Sequence, residues 1–307
     1  MLSSDSYLFP DSWGPLVTLL RYNHRAGSKF SIACCQVASA VAMALEVTLT
    51  KEMVVGSLIP ILVYWVYSGL YTVFGQFFNN YRLHPKEDED NKNLVSKGTV
   101  IRGVLRQQFF TTIIINLLHM VTRGNVDAGT GASSGQSTSL VVITRQMVVA
   151  LLVHDAYQYF VHRCLHQNKF LYKHVHSKHH RLVVNYAYGA FYNHPVEGFL
   201  LDVIGSPLTI YVSGMSPLTS AVFSSFSIMK SVDDHCGFWI PWNPFQMLFT
   251  NNVAYHDVHH QLYGGKYNFA QPFFPFWDKI LGTYMDYRVE KRDGGGFQLR
   301  PIKESKD

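Results

Sequence analysis

Residues 53–81 contain no charged side chain, and this run constrains the fold more than any other part of the sequence. Its centre, residues 58–67, reads LIPILVYWVY. A helix of about 20 apolar residues crosses the hydrocarbon core of a bilayer, and the run is longer than that. Because lipid offers no hydrogen bonds to a backbone, a spanning segment must be a helix or part of a closed barrel. The run therefore predicts a helical membrane protein, in preference to a soluble protein with one long buried helix.

Further apolar stretches predict additional membrane segments. Residues 31–50 are a weak candidate because Glu46 interrupts them, and residues 101–121 predict another span. Residues 140–161 predict a fourth helix, which carries two charged residues and is therefore expected to face the protein interior on one side. Residues 203–229 are uncharged but are broken by the sequence SGMSP. That break favours two short helices over a full span.

These stretches predict an all-α, polytopic membrane protein. It has about four spanning helices, a short helical hairpin and a cytosolic helical cap that carries a histidine-box di-metal site. A Gly/Ser-rich stretch at 124–139 is expected to be a flexible linker. The predicted organisation is a polar basic segment at 1–30, transmembrane helices at 31–161, and a cytosolic catalytic region at 162–307 with the membrane hairpin at about 199–232.

The charge distribution bears on partners and on orientation. Lys and Arg number 26 against 21 Asp and Glu, and the net charge of +5 is too small and too evenly spread to indicate nucleic-acid binding. Residues 81–106 hold six Lys or Arg, whereas residues 124–138 hold none. The positive-inside rule therefore places 81–106 in the cytosol. The four cysteines have no framework spacing, which predicts reduced thiols.

Eight of the 15 histidines fall into three groups, one with the spacing H-x-x-x-H and two with H-x-x-H-H. Because positions i, i+3 and i+4 share a helix face, each group is expected to present its imidazole nitrogens toward one point. Neutral imidazole is a good ligand for zinc, copper, nickel and iron, so the pattern predicts a polyhistidine metal site. The groups are His162 and His166; His176, His179 and His180; and His256, His259 and His260.

The number of imidazoles predicts two metal ions. A single zinc takes four or fewer ligands, and His194 and His235 are two more histidines that could complete a larger set. Two redox-capable irons beside a bilayer suit the activation of O2 for attack on an unactivated C–H bond of a lipid chain. Such a bond has no acidic proton and no leaving group, so the metal must carry the reaction.

Acidic residues near the groups are candidates to orient metal-bound histidines. Asp155 lies on the same helical stripe as the first histidine group. A carboxylate near membrane depth is costly and is usually paired or functional. Asp155 is therefore expected to accept the second N–H of a metal-bound histidine, with a salt bridge to a nearby arginine as the alternative. Glu197 and Asp234 are further candidates for this role.

Several segments around the histidines carry a resemblance to a known family. They are YWVYSGLY (64–71), YRLH (81–84), KNLVSKG (92–98), QYFVHRCLHQNKFLYKHVHSKHHRL (158–182), YAYGAFYNHPVEG (186–198), SGMSP (213–217), VDDHCG (232–237), AYHDVHHQLYGGKYNF (254–269) and WDKILGTYM (277–285). With them the sequence resembles the fatty acid hydroxylase superfamily of membrane di-iron enzymes, and within it the plant-type sphingoid base 4-hydroxylases. The resemblance covers about residues 52–307 and leaves the first 50 without a counterpart.

That resemblance implies hydroxylation of sphinganine or dihydroceramide at carbon 4, giving a phytosphingosine-type base. It implies two iron ions (zinc can replace them in a purified protein), O2, and electrons from NAD(P)H through cytochrome b5 reductase and cytochrome b5. No H-P-G-G haem motif occurs, so the cytochrome is expected to be a separate protein. The endoplasmic reticulum membrane, with the boxes on its cytosolic face, and ceramide synthase as a further partner are implied too. The implied ligands are His162, His166, His176, His179, His180, His256, His259 and His260, with His235 and His194 as additional candidates.

Three other functions remain open at this stage. Desaturation begins with the same hydrogen abstraction as hydroxylation, and histidine spacing does not distinguish the two outcomes. A sterol C-4 methyl oxidase would carry the same boxes. A membrane zinc carrier would also use histidines, although it would place polar ligands within its spans or in a disordered loop. Iron content with O2 consumption favours the oxygenase, and zinc uptake into vesicles favours the carrier.

Overall fold

The computed structural model describes residues 51–126 and 139–302, which belong to one compact unit that begins at Lys51. The apolar stretch predicted at 31–50 lies outside the described residues. The α-helices are α1 (Lys51–Phe74), α2 (Asp88–Asn91), α3 (Lys97–Val126), α4 (Leu140–Gln167), α5 (Lys169–His174), α6 (Pro195–Gly198), α7 (Gly205–Ser213), α8 (Pro217–Asp234), α9 (Pro244–Leu248), α10 (Val253–His260) and α11 (Phe276–Ile280). Short 3₁₀ helices lie at Gly75–Phe77, Asn79–Tyr81, His176–Arg181 and Ala187–Gly189, and a π-helix at Phe199–Ile204.

Three helical stretches within the described residues are long and apolar enough to cross a membrane: Gly56–Phe77, Leu140–Gln167 and Pro195–Ser213. The third combines α6, the π-helix and α7. Helix α3 contains the span predicted at 101–121 and is long enough at 30 residues, but it is not among the three. Its apolar residues are interrupted by glutamine and asparagine, which lower its mean hydropathy.

The outer surface of α1 shows why the protein needs a lipid environment. Leu58, Leu62, Val66 and Leu70 follow one another at i, i+4 spacing, and each is between 44% and 63% exposed. A stripe of this kind on a soluble protein would be an aggregation hazard. On a spanning helix it is the face that contacts lipid. The chain is therefore a membrane protein, as its uncharged run predicts.

The predicted break between two helices is confirmed, but the first of them is not short, because α7 belongs to the 19-residue stretch Pro195–Ser213 that is long enough to cross a membrane. Helix α7 ends where Gly214 adopts φ +66°, the left-handed conformation that closes many helices. Helix α8 begins two residues later with the Ser216 hydroxyl accepting a hydrogen bond from the Thr219 N–H. Pro217 occupies the first turn, where its missing N–H costs nothing. The sequence SGMSP is thus a helix stop followed by a helix start.

The helices pack in two pairs around the histidine region. Helix α1 lies along α8, and α4 lies along α7. Tyr64, Val100 and Val232 are fully buried and join α1, α3 and α8 in one core cluster. A second cluster places Leu83 against Phe238 beneath the loop that follows α8. These clusters anchor the segments that carry the second and third histidine groups.

Two parts of the predicted organisation need correction. The chain is not all-α, because β1 (Tyr287–Lys291) and β2 (Phe297–Pro301) form an antiparallel hairpin with Val289 opposite Leu299. Three consecutive glycines at 294–296 with positive φ make its turn, a turn composition typical of hairpins. The predicted linker also begins later than expected, because α3 continues to residue 126. The rest of that linker lies outside the described residues.

The acidic block at 87–90 is partly paired. The Glu89 carboxylate forms ion pairs with both Arg82 and Lys97. Arg82 precedes the short helix α2, and Lys97 begins α3. Glu89 therefore ties the loop after α1 to the start of α3.

Candidate metal centre

Three segments bring the histidine groups together. The first group lies on the last turns of α4, the second forms the 3₁₀ helix His176–Arg181, and the third lies on α10. The Asn168 side chain accepts hydrogen bonds from the Phe170 and Leu171 N–H groups, so α5 begins immediately after α4 ends. The Asn252 side chain accepts from the N–H groups of Ala254 and Tyr255 and begins α10. Capping side chains therefore fix where the first histidine segment ends and where the third begins.

Nine imidazoles converge into two adjoining clusters, and in each cluster the candidate ligand atoms lie within 4.8 Å of one another. The rings of His180 and His260, one from each cluster, stack with centroids 4.7 Å apart. The five-histidine cluster contains His162, His166, His176, His180 and His259, and the four-histidine cluster contains His179, His235, His256 and His260.

The spacing of the nitrogens fits metal ions. Within the five-histidine cluster, the Nε2 atom of His176 lies 3.1 Å from those of His162 and His180. Within the four-histidine cluster, the Nε2 atom of His256 lies 3.0 Å from those of His235 and His260. A metal bound to imidazole at about 2.0–2.1 Å holds neighbouring ligand nitrogens roughly 3 Å apart. Both clusters have that geometry.

The opposite ring nitrogens show which atoms face the clusters. The Nδ1 atom lies 2.7 Å from a backbone carbonyl oxygen in His162, His235 and His259, and 2.8 Å from one in His260. A carbonyl oxygen only accepts, so Nδ1 carries the proton in these rings. Their Nε2 lone pairs therefore point inward, and among the residues that the structure describes the buried Nε2 atom of His259 has no hydrogen-bond partner. Converging lone pairs without protons between them are a donor set for cations.

Burial keeps these rings uncharged. It lowers the pKa of His179, His256 and His259 well below the ordinary value of 6.5, and the neighbouring imidazoles lower it further. Burial also lowers the pKa of His235 to about 4. At neutral pH the nitrogens are therefore free of protons that would compete with a metal ion.

The expectation that each H-x-x-H-H group presents its imidazole nitrogens toward one point is wrong. In the second group, the i and i+4 members (His176 and His180) lie in the five-histidine cluster, whereas His179 lies in the other. In the third group the assignment is reversed, because His259 joins the five-histidine cluster while its two neighbours join the four-histidine cluster. The spacing therefore divides a group between two clusters, with the i+3 member facing away from the other two.

Three of the predicted site residues have other partners. The His194 Nδ1 atom accepts from the Val196 N–H and caps α6, outside both clusters. The Asp155 carboxylate accepts from the backbone N–H groups of Phe273 and Phe274, so it holds a loop, and it has no histidine partner among the described residues. The Asp234 carboxylate pairs with Lys230, and both side chains are buried. His194 thus caps a helix where a metal ligand was predicted, and the two carboxylates bind backbone N–H groups or a lysine where an imidazole was predicted.

Glu197 contacts a clustered histidine, as expected for a carboxylate that orients a metal-binding imidazole. Its Oε1 atom lies 2.7 Å from the Nδ1 atom of His176, and both side chains are almost completely buried. A carboxylate there fixes the tautomer and the orientation of the ring and makes the opposite nitrogen a better donor to a metal. The second oxygen of Glu197 has no hydrogen-bond partner within the described residues.

Asp278 is a supporting residue that sequence reasoning missed. Its carboxylate, which is 0% exposed, accepts from the backbone N–H groups of Phe269 and Ala270 and from the Tyr255 hydroxyl. The carbonyl of Phe269 in turn accepts from His162 Nδ1. Asp278 thus fixes the backbone that orients a histidine. The only signal in the sequence was its place in the segment WDKILGTYM.

A cavity of about 250 Å³ leads from the clusters into the membrane part of the protein. His176, His179 and His235 line one end. From Tyr64 the lining continues along α1 to Gly56, a distance of about 12 Å at 1.5 Å per residue. The cavity is therefore long enough to hold an extended stretch of an alkyl chain beside the clusters.

The backbone around the third group leaves no room for a side chain at Gly264. A Cβ atom there would lie 1.7 Å from the carbonyl oxygen of Val258, whereas a Cβ at Gly265 would meet nothing within 4 Å. The Gly264 segment leads to the Tyr267 carbonyl that accepts from His259. We expect Gly264→Ala to destabilise the protein by about 1–3 kcal/mol through overpacking.

The matched variant Gly265→Ala is expected to change the free energy of unfolding by no more than about 0.5 kcal/mol. The reason is that nothing lies within 4 Å of the added Cβ atom. Thermal unfolding of the two detergent-solubilised variants measures the difference. Equal melting temperatures for both variants would contradict the close approach of this segment to α10.

Comparison with known proteins identifies the family. The family model described as fatty acid hydroxylase matches residues 147–283, which include all nine clustered histidines. Sphinganine C4-monooxygenase 2 of Arabidopsis thaliana is 59% identical over 82% of this chain and 95% of its own length. A very-long-chain aldehyde decarbonylase of Oryza sativa subsp. japonica is 50% identical over 83% of this chain and 97% of its own length.

More distant relatives extend the same pattern. A sphingolipid C4-hydroxylase of Saccharomyces cerevisiae is 38% identical over 76% of this chain and 73% of its own length. No solved structure matches the chain. With relatives this similar over most of their length, the chain belongs to the fatty acid hydroxylase family.

Proposed function

We propose that the protein is a monooxygenase that inserts a hydroxyl group at carbon 4 of a sphingoid base. The observation that carries the proposal is the convergence of nine imidazoles, in two adjoining clusters, at the end of a cavity that runs to membrane depth. The proposed reaction is the one for which the C4-monooxygenase and C4-hydroxylase relatives are named. The geometry of this chain provides a site suited to that reaction. Sterol oxidation and desaturation would use the same donor set, so the product distinguishes them.

The proposed cofactor is a pair of iron ions, one in each cluster. Five and four imidazole nitrogens, with no thiolate and no carboxylate among them, suit a divalent transition metal. When bound, the irons would supply the O2 chemistry that an unactivated C–H bond requires. Zinc would fit the same nitrogens in a purified protein. The proposed metal ligands are the nine clustered histidines, and His194 is not among them.

The protein's own residues would place the substrate and keep the site in order. Glu197 and the carbonyl groups behind the rings hold the imidazoles in the tautomer that leaves Nε2 free. The cavity walls contributed by Ile61, Phe191 and Ile228 would hold an alkyl chain and exclude water. A chain lying along α1 would pass the ends of His176 and His179.

The cellular setting follows from the same proposal. We place the protein in the endoplasmic reticulum membrane, with the boxes and residues 81–106 on the cytosolic face, in accordance with the positive-inside rule. Electrons would come from NAD(P)H through cytochrome b5 reductase and a separate cytochrome b5. Ceramide synthase is a proposed partner because it would use the product.

Expression in a yeast strain that lacks 4-hydroxylated bases tests the proposed reaction. Lipid mass spectrometry is expected to show phytosphingosine-type bases only in cells that express the protein. Alkanes from long-chain aldehydes, 4-desaturated bases or oxidised methylsterols in their place would contradict it and identify the rival reaction. Purified protein is expected to contain close to two irons per chain, whereas zinc uptake by vesicles without lipid oxidation would indicate a carrier.

A further inference from the structure

One acidic side chain in the cavity has no counter-charge. Asp202 lines the cavity and is half-buried, and it lies within the apolar stretch Pro195–Ser213. Across residues 51–126 and 139–302, no lysine, arginine or histidine forms an ion pair with it. In this same part of the chain its one hydrogen bond comes from the Gln107 Nε2 atom at 3.4 Å. A carboxylate at membrane depth is costly unless it has a partner, and it usually marks a functional site.

The local backbone is shaped to present this side chain. Asp202 lies in the π-helix Phe199–Ile204, and π-helical turns occur mostly as single-turn insertions at functional sites. Gly198 precedes the π-helix, and a Cβ atom there would lie 1.1 Å from the Gln107 amide nitrogen. The absence of a side chain at Gly198 therefore makes room for Gln107, whose amide reaches Asp202. Gln107 itself is only 8% exposed.

The position of Asp202 in the cavity suits a substrate head group. Asp202 lies five residues after Glu197, which holds His176, and Glu197 and Asp202 line the same cavity. In a sphingoid base the amine is separated from carbon 4 by three bonds. A base whose carbon 4 faces the imidazoles would therefore bring its amine within a few ångströms of the cavity wall that carries Asp202.

We infer that Asp202 is the specificity-determining residue that binds the ammonium group of a free sphingoid base, so that the free base and not its N-acylated form is the preferred substrate. This inference rests on the proposed C4 hydroxylation. A protonated amine supplies the missing positive charge and N–H donors for a carboxylate. The amide of dihydroceramide is neutral, offers one N–H and carries an acyl chain at the same position. It would leave the carboxylate without a counter-charge.

The test compares two lipids and three proteins. Wild type, Asp202→Asn and the control Glu87→Gln, which changes an exposed acid in the loop before α3, are reconstituted in phosphatidylcholine nanodiscs. Binding of radiolabelled sphinganine and of dihydroceramide is measured without an electron donor, and hydroxylation is measured with one. Asp202→Asn is expected to weaken sphinganine binding by about 10–100-fold, the range for loss of a charge-assisted hydrogen bond. Its dihydroceramide binding is expected to stay within about 2-fold of wild type.

A second measurement does not depend on the variant folding. Wild type is expected to bind sphinganine more tightly than an analogue in which a hydroxyl replaces the amine. Equal binding of that analogue, equal weakening of both lipids by Asp202→Asn, or a wild-type preference for dihydroceramide would each overturn the inference while leaving C4 hydroxylation intact. A wild-type protein that hydroxylates neither lipid would instead reject the proposed function.

Discussion

Replacing His179 or His259 with alanine is expected to reduce formation of 4-hydroxylated bases by more than about 100-fold, because even the outer partners of metal ligands are worth 10–100-fold. The two residues belong to different clusters, so the pair tests whether both clusters are needed. Their rings contribute to no spanning stretch, and both variants are expected to remain in the membrane fraction. Lipid mass spectrometry and iron analysis of the purified variants measure the two effects.

Two further histidine variants, both outside the clusters, serve as controls for the loss of an imidazole as such. His174→Ala removes an exposed ring on α5 that packs against Phe170, and it is expected to leave iron content and product unchanged. His194→Asn removes an imidazole from outside the clusters but keeps a residue that caps helices well, so iron content is expected to be retained. Full activity in His179→Ala or His259→Ala, or iron loss in His194→Asn, would refute the ligand assignment.

Changing Glu197 is expected to have the next largest effect. Glu197→Gln keeps an oxygen for the Nδ1–H of His176 but removes the negative charge, so we expect about a 10-fold loss of iron affinity. Glu197→Ala removes the acceptor as well and leaves a buried N–H unpaired, and we expect about a 100-fold loss. Competition with a chelator measures the affinity of each variant.

The relative iron affinities of the two variants distinguish a role of the Glu197 charge from a role in packing. A residue that only fills space would make Gln nearly neutral and Ala harmful, whereas a residue that acts through its charge makes both variants lose iron. Circular dichroism of the solubilised proteins controls for unfolding. Unchanged iron affinity in both variants would show that His176 does not depend on Glu197.

The sequence was sufficient to predict the membrane class, the break between helices at SGMSP, and nine of the ten candidate histidines that lie in the two clusters. Each of these follows from local patterns, since apolar runs and histidine spacing are properties of short segments. The hairpin at SGMSP is an example, because a left-handed glycine, a capping serine and a first-turn proline act within a few residues. The β1–β2 hairpin has an equally local signal in its three consecutive glycines.

The division of the histidines between clusters could not be read from spacing. A helix puts positions i, i+3 and i+4 on roughly one face, and only the approach of other segments decides which ring turns to which side. The hydrogen-bond partners of Asp155 could not be predicted for the same reason, because the Phe273 and Phe274 amides that bind it lie more than 100 residues away in sequence. Pairings of this kind depend on tertiary contacts, and a single sequence does not contain them.

The crossed assignment of the second and third groups means that each of these two segments supplies histidines to both clusters. A metal ion bound in one cluster would fix segments that also carry ligands of the other cluster. Because coupling between two binding sites is reciprocal, an ion in the second cluster would change the binding free energy at the first by the same amount. We therefore expect loading to be cooperative, with chains that hold a full pair or none and few that hold a single ion. An apoprotein supplied with less than one equivalent of iron would then separate into two populations.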